Sequence, residues 1–211
     1  MKRALILLVA CAACAHGEPR ADEPKEAVPA PSVVTEVQGD TLTRTFDLNH
    51  DGKPDDWKVW KLLADAAGKT REVLIERRLD TNFDGKPDVT TWFAEDGSKV
   101  KEAFDLDFDG RVDVVHFYEK GVLVRKETFG QDPRRPEAVA FYEGGKRVRV
   151  ERDTKGRGKP DTWEYYEEGR LQRIGEDLDG DGIVDRWVKA KDDEGPALPD
   201  AAAKAAAAKG K

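Results

Sequence analysis

The sequence predicts an all-β fold: an antiparallel meander of about six β-hairpin repeats, period about 24 residues, joined by acidic loops. Three observations predict it. An acidic nonapeptide recurs along the chain. Between its copies apolar residues alternate with polar ones, the period-two pattern of a strand with one buried face. Short Gly-bearing segments interrupt each alternating stretch near its middle, as a tight hairpin requires.

The nonapeptide reads Asp47-Leu-Asn49-His-Asp51-Gly52-Lys-Pro-Asp55 in its first copy and Asp80-Thr-Asn82-Phe-Asp84-Gly85-Lys-Pro-Asp88 in its second. It returns as Asp105-Leu-Asp107-Phe-Asp109-Gly110-Arg-Val-Asp113 and as Asp177-Leu-Asp179-Gly-Asp181-Gly182-Ile-Val-Asp185. A damaged copy, Asp153-Thr-Lys155-Gly-Arg157-Gly158-Lys-Pro-Asp161, precedes the last. Starts at 105, 153 and 177 imply a further copy at 129, where residues 129–137 supply it in degenerate form. The steps are then 33, 25, 24, 24 and 24 residues, the long first one reflecting an insertion around 62–70.

Two and four residues beyond each loop come Trp57/Val59, Thr90/Trp92, Val115/Phe117, Val139/Phe141, Trp163/Tyr165 and Trp187, all of one strand parity. Turns follow at Gly97, Gly121, Gly144-Gly145 and Gly169, and return strands over 99–104, 122–128, 146–152 and 170–176 lead to the next loop. Upstream, 33–37 and 41–46 flank Gly39-Asp40 as the opening hairpin. Such stacked units share cores between neighbours. Trp60, Phe93, Tyr118, Tyr142 and Tyr166 take the other parity and form an exposed aromatic set, one per repeat.

Composition narrows the function. The chain has 211 residues, 36 Lys+Arg against 43 Asp+Glu, net charge −7, and 37% charged residues. An acidic balance excludes nucleic acid as a partner, since phosphate binding needs clustered cations. Five Trp, eight Phe and four Tyr are too many for a chain with no folded part. Nucleophilic catalysis is poorly supplied: two Ser, with Ser32 in a linker and Ser98 in a turn, and no Cys within the repeats.

The acidic loops have a direct chemical reading. Oxygen ligands at positions 1, 3 and 5, a backbone carbonyl at 7 and an acid at 9 converge on one hard cation, with Gly at 6 for the sharp turn. Asp47, Asn49, Asp51, Asp55, Asp80, Asn82, Asp84, Asp88, Asp105, Asp107, Asp109, Asp113, Asp177, Asp179, Asp181 and Asp185 are the expected ligands of about four Ca²⁺. In the loop at 153, Lys155 and Arg157 stand at positions 3 and 5, so no metal is expected there. Plain turn formation does not require three or four acids at alternate positions, which repel one another without a counter-ion.

These loops resemble those of EF-hand, dockerin, thrombospondin type-3 and integrin-like propeller proteins. They lack the bidentate Glu at position 12, where Lys58, Thr91, His116 and Val188 stand, and no helical pattern flanks them. The resemblance therefore implies calcium loops between strands, at the weak affinities of extracellular modules, roughly 10⁻⁴–10⁻³ M. Tyr165-Tyr166-Glu167-Glu168-Gly169-Arg170-Leu171 is loosely similar to the YD repeats of Rhs-type surface and toxin shells, which implies a scaffold.

At the amino end, Lys2-Arg3 and the apolar stretch to Ala10 read as a signal peptide over 1–10. Leu8-Val9-Ala10-Cys11 resembles the bacterial lipobox, with Cys14 as the alternative lipidation site. That implies an exported protein anchored by acyl chains at the cell envelope, at the outer membrane because Asp does not follow the Cys. Residues 11–32, rich in Pro, Ala and charge, read as a disordered tether, 33–190 as the repeat domain and 191–211 as a frayed Ala/Lys tail. The expected function is a calcium-stabilised, membrane-anchored scaffold or adhesion module with an envelope protein or glycan as partner, and not an enzyme. The alternative is a carboxylate-dependent glycan hydrolase or a glycan-binding protein using the aromatic set.

Overall fold

The computed structural model describes residues 32–64, 66 and 68–190. The signal peptide, Cys11, Cys14, the tether up to residue 31 and the tail over 191–211 lie outside those residues. Ser32, read from the sequence as the last tether residue, is the first residue of a strand.

Thirteen strands follow one another in a single antiparallel sheet whose spatial order is the chain order. They are β1 Ser32–Gln38, β2 Thr41–Asp47, β3 Asp56–Ala64, β4 Thr70–Leu79, β5 Val89–Phe93, β6 Lys99–Phe104 and β7 Val114–Glu119. After them come β8 Val122–Phe129, β9 Pro136–Glu143, β10 Lys146–Arg152, β11 Thr162–Glu167, β12 Arg170–Glu176 and β13 Arg186–Lys189. The meander is as the sequence predicts, and no helix forms among the described residues. At the ordinary strand spacing of about 4.8 Å it extends roughly 60 Å across its strands.

Strands make substantial contacts with their sequential neighbours alone, so the sheet neither closes nor folds over on itself. Every second connection is a loop of the nonapeptide series, placing these loops in a row along one end of the strands, with the tight turns along the other. Lys120-Gly121, Gly144-Gly145 and Glu168-Gly169 all have positive φ at both central positions, the turn whose twist matches a two-residue hairpin. The insertion expected at 62–70 is a longer hairpin: β3 and β4 have nine and ten residues.

One feature has no sequence signature. Each return strand from β4 to β12 carries one extra residue (Ile75, Val100, Val124, Val148 and Gln172) bulging from the ladder between the turn and the loop. A bulge is a backbone irregularity that many side chains tolerate, so only its recurrence marks it.

The sequence pattern of one buried face and shared cores is modified by the single layer. On the face of Trp57, Trp92 and Trp163, rings and cations alternate along one row of the ladder. Trp92 faces Lys101, which faces Phe117, then Arg125, Phe141, Arg149, Tyr165 and Arg173. Arg125 lies 4.0 Å from the Phe117 centroid, Arg149 4.3 Å from Phe141, Lys101 4.7 Å from Trp92 and Arg173 4.9 Å from Tyr165. Each such contact contributes about 0.5–1 kcal/mol at an exposed site. The aliphatic stems of the same side chains cover the rings in place of a second layer.

The opposite face is treated alike. Trp60, Phe93, Tyr118, Tyr142 and Tyr166 are half-buried there rather than exposed. Arg44 stacks on Trp60 at 4.7 Å and Arg147 on Tyr166 at 4.3 Å. The Tyr118 hydroxyl donates to Glu102 at 3.0 Å and that of Tyr166 to Glu164 at 2.6 Å. Burial, then that bond, pushes the Tyr166 hydroxyl up to about 12. Near the loop end of this face Val114, Ala138, Ala140 and Val150 form the buried apolar strip.

Candidate metal sites

The loops are built around two acids each. In the first, Asp55 Oδ2 accepts the N–H of Leu48 and Asn49 at 2.7 and 3.1 Å, joining position 9 to positions 2 and 3. Asp47 accepts from His50 through Oδ1 at 2.7 Å and from Gly52 through Oδ2 at 3.0 Å. Asn49 and Asp51 each accept the N–H two residues ahead, at 2.9 and 2.8 Å. The same bonds recur at 80–88 and, with one exception, at 105–113 and 177–185.

The damaged loop at 153–161 is an internal control. Asp161 still accepts from the N–H of Thr154 and Lys155, and Asp153 from Gly158, although Lys155 and Arg157 have replaced the acids at positions 3 and 5. Positions 1 and 9 are therefore structural staples in every loop that keeps them, whatever else they do. That role was missed in reading the sequence, yet retention of Asp153 and Asp161 in a loop without the other acids was its signal. Burial agrees: Asp55, Asp80, Asp88, Asp105, Asp161 and Asp177 are all at most 8% exposed.

Neighbouring loops are tied by their backbones. The N–H of position 1 donates to the position-9 carbonyl of the preceding loop, as from Asp80 to Asp55 at 2.8 Å and Asp105 to Asp88 at 2.8 Å. Phe129 donates to Asp113 at 2.8 Å and Asp153 to Glu137 at 2.9 Å, so residues 129–137 occupy the place of the inferred missing copy. Position 4, where His50, Phe83 and Phe108 have φ near 65°, adopts a left-handed backbone uncommon for such residues. Of these turns, only Gly at position 6 was expected from sequence.

Carboxylates converge in two places. One oxygen from each of Asp105, Asp107 and Asp109 lies within 4.8 Å of the others, and so do those of Asp177, Asp179 and Asp185. Either group could hold a metal ion. Asp113 and Asp181 fall outside these groups. Among the described residues, the carboxylates at 47, 51 and 55 and at 80, 84 and 88 do not form such a triplet. Position 3 in both of those loops is Asn.

The exception noted above is at Asp105. The position-1 Oδ1 accepts the position-4 N–H in the loops at 47, 80 and 177. In Asp105 this oxygen is buried and has no hydrogen-bond partner, while Oδ2 accepts from Gly110 at 2.7 Å. An ionised carboxylate oxygen removed from water without a donor is costly, and a hard cation is the group that would satisfy it.

Basic side chains also enter this edge. Lys155 Nζ donates to the carbonyls of Asp177 at 2.9 Å and Leu178 at 3.2 Å, bridging one loop to the next. Arg157 lies so close over Gly180 that a Cβ there would meet its guanidinium at 2.0 Å. Burial raises the Asp177 carboxyl, but bonds from Gly180 and Gly182 and then the charges of Arg157 and Lys155 bring it below the ordinary value. In the loop at 105 the Arg111 guanidinium holds the Asp109 carboxyl low in the same way.

No protein-family model matches this chain, and no curated protein matches it. Among solved structures, a chain of a GtfA/B complex is similar at 13% identity and a TM-score of 0.30, covering 79% of this chain and 22% of that one. A chain of accessory secretory protein 1, 2 and 3 from Streptococcus pneumoniae is similar at 13% identity and a TM-score of 0.23, covering 56% and 19%. This chain thus spans about a fifth of the length of either.

Proposed function

We propose that this chain is an exported scaffold, lipid-anchored at the cell envelope through Cys11 or Cys14, whose repeat domain is stabilised by calcium in its acidic loops. It presents the sheet to an envelope protein or a glycan and is not an enzyme. One observation carries the metal part of this reading: the buried, unpartnered Oδ1 of Asp105 beside the carboxylates of Asp107 and Asp109. The contrast with the loop at 153–161 supports it, since there a lysine and an arginine stand in place of the two exposed acids. The repetition of the carboxylates along the edge suits a structural role better than a single catalytic pair.

In this reading Asp105, Asp107 and Asp109 hold one ion and Asp177, Asp179 and Asp185 another, with weaker sites where Asn49 and Asn82 supply an amide oxygen. The ion neutralises carboxylates that otherwise repel. A thermal melt of the chain in EGTA and in about 2 mM Ca²⁺ tests it. At a Kd of about 0.2 mM each occupied site adds about 1.4 kcal/mol. Two sites then raise Tm by roughly 6–12 °C. An unchanged midpoint removes calcium from the proposal.

A further inference from the structure

The loop at 105–113 already contains a cation of its own. Arg111, at position 7, donates from Nε to Asp109 Oδ2 at 2.8 Å, and its terminal Nη2 bonds the same oxygen. The negative charges of Asp107 and Asp113 add to that of Asp109 in favouring the charged guanidinium. The carboxylate that Arg111 occupies is one of the three that converge beside the unpartnered Asp105 Oδ1. No equivalent arrangement exists in the other intact loops. Lys53 and Lys86 at position 7 form no ion pair with Asp51 or Asp84 among the described residues, and Ile183 has no charge.

We propose that Arg111 is a resident counter-ion that a divalent cation must displace, so that this residue sets the affinity of the loop. The inference rests on the reading of the loops as metal sites and adds its regulation. With no divalent ion bound, Arg111 offsets part of the charge of Asp107, Asp109 and Asp113. Ion entry places two positive charges among the same carboxylates. The guanidinium is then repelled and turns outward, which its half-exposed position allows. The loop exchanges one cation for another rather than filling from an unneutralised state. Its uptake therefore opposes the cost of losing the arginine pair.

Calorimetric titration of the full chain with CaCl₂ at low ionic strength tests this, comparing the unaltered protein with Arg111→Gln, Asp105→Asn and the double variant. Arg111→Gln is expected to tighten calcium binding about fivefold, the worth of an attraction between two unit charges about 4 Å apart in a well-solvated site, which only the unaltered chain must give up on ion entry. In EGTA the same variant is expected to melt lower than the unaltered chain. Asp105→Asn is expected to weaken the affected component at least about tenfold, and the double variant to lose the gain. A gain that persists in the double variant, or an affinity that falls or stays constant in Arg111→Gln, overturns the proposal. Binding by Arg111→Gln but not by the unaltered chain supports it even though the resting protein then fails the calcium test. No uptake by either overturns both readings. Because Asp105 is buried, Asp107→Asn, at an exposed position, serves as the second ligand variant.

Discussion

Replacing Asp161 by Ala separates the stapling role of the loop acids from metal binding. Asp161 is 2% exposed. Its carboxylate accepts from Thr154 N–H at 3.2 Å, Lys155 N–H at 3.0 Å, and the hydroxyls of Thr154 and Thr162 at 2.7 and 3.0 Å. The hydroxyls can turn to water, whereas the two backbone donors are fixed by the loop. Bonds to a charged acceptor contribute roughly 1.5–3 kcal/mol each, so the pair is worth about 3–6 kcal/mol. Thr154 and Lys155 are exposed and regain some hydration, which places the expected loss near 3 kcal/mol. In a domain of this size that lowers Tm by about 6–12 °C. The assay is urea and thermal unfolding followed by tryptophan fluorescence, with Trp163 as the local reporter, in EGTA and in about 2 mM Ca²⁺. With Lys155 and Arg157 in place of two acids no metal is expected in this loop, so the two losses should agree within about 0.5 kcal/mol. A loss below about 1 kcal/mol, or one that calcium reverses, refutes the assignment of position 9 as a metal-independent staple.

Two further outcomes follow from the same geometry. Lys155→Asp combined with Arg157→Asp restores acids at positions 3 and 5 beside Asp153, and calorimetry should show one additional calcium bound per chain; in EGTA, loss of the Lys155 bonds to Asp177 and Leu178 should cost about 1 kcal/mol. Acidification should destabilise the sheet. At Glu164, burial raises the carboxyl, but bonds from Arg152 and Tyr166 outweigh it, leaving the folded value below the ordinary 4.5. A depressed folded value means that its contribution is complete above pH 4.5 and is lost as pH falls further. Urea midpoints measured down through that range should decline, and less steeply in Glu164→Gln; a midpoint that rises there contradicts the sign.

Much of this molecule was legible because its repeat is enforced by backbone bonds. The spacing of 105, 153 and 177 located a copy at 129 with almost none of the motif's side chains. That inference held because the junctions need only the N–H of Phe129 and the carbonyl of Glu137, which any non-proline residue and any residue supply respectively. The tight turns were legible for a related reason: Gly121, Gly145 and Gly169 occupy left-handed positions that most residues avoid. What escaped the sequence depends on three-dimensional placement. The bulges at Val124 and Val148 carry no distinctive side chain. Rings assigned to an exposed set, such as Tyr166, are half-covered because Arg147 and Glu164 lie beside them. In the acidic loops the motif does not say which carboxylates meet. Asp105 and Asp177 have identical motif positions, yet only one leaves its Oδ1 unpartnered.

The loops form two kinds of junction along one edge. Those at 47, 80 and 105 are consecutive and acidic, whereas 129 and 153 are consecutive and basic, with Arg134 and Arg135 in the first and Lys155 and Arg157 at acid positions in the second. Arg135 lies against Gly158, and Lys155 and Arg157 against the loop at 177, so the basic stretch reaches forward onto its successor. Positive charge near the buried acids, such as Asp55, Asp88, Asp105, Asp161 and Asp177, offsets their mutual repulsion. The chain supplies it covalently over one segment, while on the metal reading the solvent supplies it over the other. Arg111 stands at the last acidic loop before that change, pairing with Asp109 inside its own loop instead of the next one. A covalent cation is always present but tolerates no exchange, whereas an ion responds to its concentration. In a linear array whose stability is a sum over neighbours, the metal reading makes β2 to β7 and the junction of β12 with β13 the parts that respond to divalent cations, and leaves β8 to β11 indifferent to them.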